Sequence, residues 1–195
     1  MSRCRWSRRQ FLKAVGGTAG LAAAGGAGLL AGLLPGASGA ATPGKTATVA
    51  IASGAAGPEN VRKAIAALGG IGAFVSRGDV VVLKPNIGWD RTPAQAANTD
   101  PDVVVAVAEL CLAAGAKEVR VFDRTCNEPR RCYANSGIQA AVEAFGKKNR
   151  AADALRIYHT EDRKFVRTAI PGALVLKEWD LHRDALEADR IVNVP

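Results

Sequence analysis

The stretch Asp79–Cys132 reads DVVVLKPNIGWDRTPAQAANTDPDVVVAVAELCLAAGAKEVRVFDRTCNEPRRC. Val80–Lys84 is apolar on both faces, the pattern of a strand in a parallel sheet covered by helices. Pro85 cannot donate to a sheet ladder and ends it. Asn86–Asn98 is a long polar loop, and loops of that length are commonly functional or disordered. Asp100 is a good helix cap with Pro101 at the first helical position. Val103, Val107, Leu110, Cys111 and Ala114 make a helical stripe, which Gly115 closes. Glu118–Phe122 returns as a strand leading to Asp123, and a loop carrying Cys126 and Cys132 follows. The stretch is therefore a β-α-β unit with its polar groups gathered at one edge.

Working outward, Thr46–Ser53 alternates and is β-branched, which predicts a strand. Pro58 and Glu59 suit the first turn of a helix whose Val61, Ala64, Ile65 and Leu68 share a face, and Gly69-Gly70 stops it. On the other side, Ser136 is expected to cap a helix carrying Ile138, Ala141, Val142 and Phe145 on its core face. Leu155–His159 reads as a further strand. Lys164–Ile170 and Ala173–Lys177 flank Pro171-Gly172, a turn signal that predicts an antiparallel hairpin. Leu181–Ala188 can make a short helix, and Arg190–Val194 is another apolar strand. An α/β fold with a mostly parallel sheet follows. A strand as apolar as Ile191–Pro195 normally leads into a covering helix, so the domain over 46–195 is expected to be incomplete at its C-terminus.

The net charge of +8 is unevenly placed. Residues 1–40 hold five basic residues and no acidic ones, leaving 21 basic against 18 acidic residues in the remainder. That remainder is weakly basic, with no basic stripe interleaved with aromatics, which argues against nucleic acid as a partner. The basic residues at the start precede an uncharged Gly/Ala/Leu-rich run, Ala14–Leu34, and small residues around Ser38-Gly39-Ala40. This is the order of a secretory signal: basic region, apolar region, cleavage site. Arg8-Arg9 with Phe11, Leu12 and Lys13 behind them resembles the twin-arginine export signal of bacteria. The resemblance implies a twin-arginine translocase as partner and a periplasmic or cell-envelope exterior location. It divides the chain into a signal over 1–40, a linker over 41–45 and a domain over 46–195. The apolar run is too rich in Gly for a comfortable membrane span, and none is expected after processing.

The order L-K-P-N, T-D-P-D-V-V, A-G-A-K-E-V-x-V-x-D, S-G-I and A-D-R-I-V-N-V-P resembles the family called domain of unknown function 362, from about Val49 to Pro195. D-R-T-C-N-x-P-R-R-C behind a twin-arginine signal is similar to that family's exported branch. The resemblance implies a Rossmann-like α/β domain and, in some members, an attached iron–sulfur ferredoxin module. This chain has no ferredoxin run of the C-x₂-C-x₂-C type. Members usually continue past V-N-V-P into a loop containing Lys and His, which again points to a fragment.

In open α/β sheets, ligands sit beyond the carboxyl ends of the parallel strands. That rule collects Lys84, Asn86 and Asp90 after one strand, and Asp123, Arg124 and Thr125 after the next. His159 and Thr160 follow a third, and Asn193 the last. A lysine and an arginine beside aspartates can hold a carboxylate or phosphate, or place a divalent metal through Asp123. The competing readings are a solvent-reaching strand-end lysine for Lys84 and a turn or cap carboxylate for Asp123. Arg130 and Arg131 are most simply a solvated loop face. His159 and His182 are the chain's two histidines, too few for a multi-histidine metal site. Cys111 lies on an apolar helical stripe and reads as a small core residue. Cys126 and Cys132, with Pro129 between them, are candidates for a disulfide in an oxidising compartment, ahead of metal ligation, with two free thiols in a mobile loop as the competing reading. The function expected is an exported protein that binds a small anionic ligand or a metal at the strand-end crevice, with a link to redox or iron–sulfur metabolism left open. The alternative is a non-catalytic binding or scaffold protein without a cofactor.

Overall fold

The computed structural model describes residues 48–195; the expected export signal and cleavage region lie outside them. The helices are α1 (Gly57–Ala67), α2 (Pro101–Ala113), α3 (Pro129–Asn135), α4 (Ile138–Lys148) and α5 (Arg183–Leu186). The strands are β1 (Val80–Pro85), β2 (Glu118–Val121), β3 (Leu155–Ile157), β4 (Phe165–Ala169), β5 (Glu178–His182) and β6 (Arg190–Val194). Four strands form a parallel sheet in the order β3-β2-β1-β6, and β4 and β5 form a separate antiparallel ribbon. The expected α/β fold with its parallel sheet and hairpin is therefore present.

Alternation along the strands sets the core. Val81, Leu83, Val119 and Val121 are fully buried against Val104, Val107, Ala108 and Cys111 of α2 and Ile138 and Val142 of α4. Burying each such aliphatic side chain contributes about 1.5–3 kcal/mol, so this face is where the fold gains its stability. The opposite face of β2 presents Glu118, Arg120 and then Phe122, against which the β4–β5 ribbon rests through His182. Helix α2 begins as expected: Asp100 accepts hydrogen bonds from the amides of Asp102 and Val103, with Pro101 behind it. It ends at Gly115, whose φ of +90° only glycine adopts without strain.

Five expectations need correction. Thr48–Ser53 forms no strand, and Val49 and Ile51 are 79% and 92% exposed. The segment has the alternation but packs no face against the core, and alternation alone cannot hold a strand. Cys126–Cys132 is not one continuous loop. Pro129–Asn135 is helical, with Glu128 accepting from the amides of Arg130 and Arg131. Ser136 is not the cap of α4: that helix starts after Gly137, whose φ of +74° turns the chain sharply between α3 and α4. The hairpin's second strand is Glu178–His182, not Ala173–Lys177. Pro171-Gly172 does turn the chain, with the Ala173 amide donating to Ile170 O and Gly172 at φ +76°, but Ala173–Lys177 is loop and Leu174 and Val175 are exposed. The short helix consequently shrinks to Arg183–Leu186, because Leu181 and His182 belong to β5. Among the described residues no helix is long and apolar enough to cross a membrane.

Candidate functional site at the strand ends

The parallel sheet brings the carboxyl ends of β1, β2 and β6 together. Leu83 pairs with Val121, and Lys84 pairs with Asn193. Beyond β2, Asp123 turns inward and is 7% exposed. Its Oδ1 lies 2.9 Å from Lys84 Nζ, and its Oδ2 accepts the Ile87 amide at 2.9 Å. Lys84 itself is half exposed. A charge taken out of water must be paired and hydrogen-bonded, and Asp123 meets both conditions. One ammonium hydrogen goes to that carboxylate, which leaves the remaining Lys84 donors facing outward.

The backbone of Asp123 is also fixed. The Tyr133 hydroxyl accepts from the Asp123 amide at 2.9 Å and donates to the Asp123 carbonyl at 3.0 Å. Tyr133 is fully buried, and burial pushes its phenol far above the ordinary range. It stays a neutral hydroxyl, able to donate and accept at once. The His159 ring meets it edge to face at 4.5 Å. Tyr133 escaped the sequence reading because its segment was taken as loop. The signal was there: Glu128-Pro129 repeats the pattern of Asp100-Pro101, a capping side chain followed by proline at the first helical position.

The other expected residues divide between exposed and structural positions. Asn86 is structural. Its Oδ1 accepts the Gly88 amide, its Nδ2 donates to Ala97 O, and its amide donates to Thr99 Oγ1. Thr99 in turn donates to Val194 O at 2.7 Å, tying the loop to β6. No local pattern singles out Thr99. Arg124 is exposed, lies over the Phe165 ring at 4.8 Å, and pairs loosely with Asp162 at 3.9 Å. Asn193 is exposed at the register position of Lys84. Thr125 donates to Asn127 O within its own turn. Asp90 is engaged by other partners than the Lys84–Asp123 pair. It is bonded by Arg131 at 2.7 Å and by the Asn135 amide group, so Arg131 is not simply a solvated side chain, whereas Arg130 is exposed.

All three described cysteines are free thiols. Burial raises the Cys111 thiol to about 11, which fits its expected place in the core. Cys126 is exposed and Cys132 buried, and both meet Gly88. The Cys126 amide donates to Gly88 O at 2.8 Å, and the Cys132 thiol approaches the same oxygen at 3.7 Å. Burial raises the Cys132 thiol as well.

A second polar group, unforeseen from sequence, lies under the β4–β5 ribbon. Asp184 accepts from the Tyr158 hydroxyl at 2.7 Å and from Lys164 at 3.2 Å, with Arg120 at 4.0 Å. Burial pushes the Asp184 carboxyl up, but the Tyr158 and Lys164 bonds outweigh it and hold it below the usual range. His182 is buried between Phe122 and Phe165. Its Nδ1 accepts the Asp184 amide, and its Nε2 has no partner among the described residues. Desolvation lowers its pKa.

Among the described residues no three His, Cys, Asp or Glu side chains converge as a metal-ligand set. Both Asp123 oxygens are already engaged, Oδ1 by Lys84 and Oδ2 by the Ile87 amide.

These features define an α/β protein with a parallel sheet and a lysine–aspartate pair at its strand ends. A family model described as a domain of unknown function, DUF362, matches residues 81–195, and the chain belongs to that family. It is 29% identical over 136 residues to the thylakoid-associated protein sll1697 of Synechocystis sp. (strain ATCC 27184 / PCC 6803 / Kazusa). That alignment covers 70% of this chain and 39% of the relative, so the chain spans about two fifths of the relative's length. No solved structure matches.

Proposed function

We propose that this is an exported protein whose strand-end crevice binds a small anionic ligand. The observation that carries the reading is the Lys84–Asp123 pair. A nearly buried carboxylate holds a half-exposed ammonium in one orientation, 2.9 Å away, and preorganised donors recognise an anion at lower entropic cost than a mobile lysine would. Because Asp123 offsets the Lys84 charge, the net positive charge at the rim falls to Arg124, with Asn193 as a neutral hydrogen-bonding neighbour. This is a binding reading, and the engaged Asp123 oxygens favour it over a metal held through Asp123. Calorimetric titration of the full chain with inorganic phosphate and with small mono- and dicarboxylates tests it. Saturable binding of one of these anions, lost in Lys84→Ala, is expected. Binding that Lys84→Ala leaves unchanged, or none at all, would remove the crevice as the site.

Export rests on the twin arginines, because the translocase reads the pair itself and not charge alone. Changing Arg8 and Arg9 to Lys should leave precursor in the cytoplasm, as followed by fractionation and immunoblotting. Unchanged export would assign the general secretory route instead.

A further inference from the structure

Beside the strand-end crevice lies a second recess, about 380 Å³, lined by Trp89, Asp90, Arg91, Asn127, Glu128 and Arg131. Its volume falls in the range of small-molecule sites. Its floor is held more firmly than an ordinary surface loop. Asn98 clasps Trp89 from both sides, accepting its amide at 3.0 Å and donating to its carbonyl at 2.9 Å. The same Asn98 amide group reaches Arg91 O at 3.2 Å. Asp90 is locked by the Asn127 side chain on its amide and by Arg131 and Asn135 on its carboxylate.

Trp89 is nevertheless 46% exposed. Tryptophan is highly buried on average, so a half-exposed Trp89 on a hydrogen-bonded backbone at the rim of a recess offers a stacking surface. The charges around it are not evenly presented. Asp90 is 16% exposed and bonded inward, and Glu128 spends its carboxylate on the amides of Arg130 and Arg131. Arg131 is 69% exposed and Arg91 is exposed, so an approaching ligand meets the guanidinium groups first. An aromatic face between arginines suits a planar heteroaromatic ring on an anionic molecule, since such rings stack on both indole and guanidinium.

The recess is also close to the Lys84–Asp123 pair along a fixed path. Ile87, whose amide is bonded to Asp123, stands two residues before Trp89. Two residues of chain span at most roughly 7 Å, well within the length of a nucleotide. We propose that Trp89, Arg91 and Arg131 take the base of a nucleoside monophosphate whose phosphate is the anion bound at Lys84. This rests on the anion-binding reading of the crevice and names its ligand class.

Calorimetric titration of the full chain with inorganic phosphate, adenosine and AMP separates the two parts. AMP should bind on the order of ten-fold tighter than phosphate, the size of effect that base stacking on an aromatic side chain gives. Trp89→Ala should remove that advantage and leave phosphate binding unchanged, while Trp89→Phe should keep most of it. Equal affinity for AMP and phosphate, or an AMP advantage that survives Trp89→Ala, would overturn the base subsite and leave the crevice standing. Adenosine and AMP binding that depends on Trp89, with no response to phosphate or to Lys84→Ala, would support the subsite and overturn the crevice. Because Trp89 is half exposed, its replacement should not unfold the chain, and circular dichroism of each variant checks this.

Discussion

Lys84 Nζ and Asp123 Oδ1 lie 2.9 Å apart, joining the carboxyl ends of neighbouring strands β1 and β2. The pair is asymmetric, with Lys84 half exposed and Asp123 7% exposed. Deleting the two partners should therefore have different consequences. Lys84→Met leaves a nearly buried carboxylate with the Ile87 amide as its remaining partner, and should cost about 1–3 kcal/mol. Asp123→Asn keeps an acceptor for that amide and frees a lysine that water can solvate, so it should cost less. Urea denaturation of both variants measures the order, and a larger loss in Asp123→Asn would show that the carboxylate is not what Lys84 stabilises.

Tyr133→Phe removes one oxygen that satisfies two backbone groups of Asp123. Both groups lie at a buried strand end, so the expected loss is about 1–3 kcal/mol. The denaturation midpoint should fall with little change in the slope. An unaffected midpoint would mean that water replaces the hydroxyl, and that the strand end is more open than its burial indicates.

Burial of His182 gives the protein a pH dependence of a defined sign. The folded-state pKa lies below the ordinary value of 6.5, so the unfolded chain binds a proton first as pH falls. Stability should therefore decrease from about pH 7.5 to about pH 5.5. Asp184, Lys164 and Glu161 also act on His182. The Asp184 carboxyl is itself held below its ordinary 3.8, so the stability it contributes is lost only at lower pH, outside this window. His182→Asn can still cap Asp184 and carries no titrating group. It should be less stable at pH 7.5 but should lose less between the two pH values, as read by thermal unfolding. An unchanged slope would assign the effect elsewhere.

The thiols should react in a fixed order. With reduced protein, Cys126 should alkylate quickly at neutral pH, while Cys111 and Cys132, buried and with raised pKa, should react on unfolding. Because the Cys126 amide and the Cys132 thiol share the Gly88 carbonyl, an oxidising compartment should close the two cysteines into a disulfide and abolish the fast thiol. Non-reducing peptide mapping of exported protein reads this directly. Recovery of both cysteines alkylated would exclude the bridge.

Gly57 sets the packing of α1 on α2. A Cβ built there would stand 2.8 Å from Val103 Cγ2, too close for two carbons. Gly57→Ala should therefore destabilise by about 1–3 kcal/mol although alanine favours helix, and pairing it with Val103→Ala should recover part of the loss. Thermal unfolding of the double variant is the check. A neutral single variant would mean that α1 shifts freely on α2.

Features that depend on near neighbours along the chain are legible in residue order. Apolar runs gave β1, β2 and β6, Asp100-Pro101 gave the start of α2, and the rule of strand-end ligands pointed to Lys84 and Asp123. Local pattern failed where the deciding partner was distant. Thr48–Ser53 has a strand's alternation but no packed face, and the second hairpin strand was misplaced because its register comes from pairing Phe165 with His182. The roles within the site were decided by tertiary structure alone. Asn86 looks like a ligand residue until Thr99, Ala97 and Gly88 take its hydrogen bonds, and Tyr133 matters only because α3 lays its hydroxyl on the Asp123 backbone. A hydrogen bond is set by three-dimensional distance to within a few tenths of an ångström, whereas residue order limits only how far apart two groups can be.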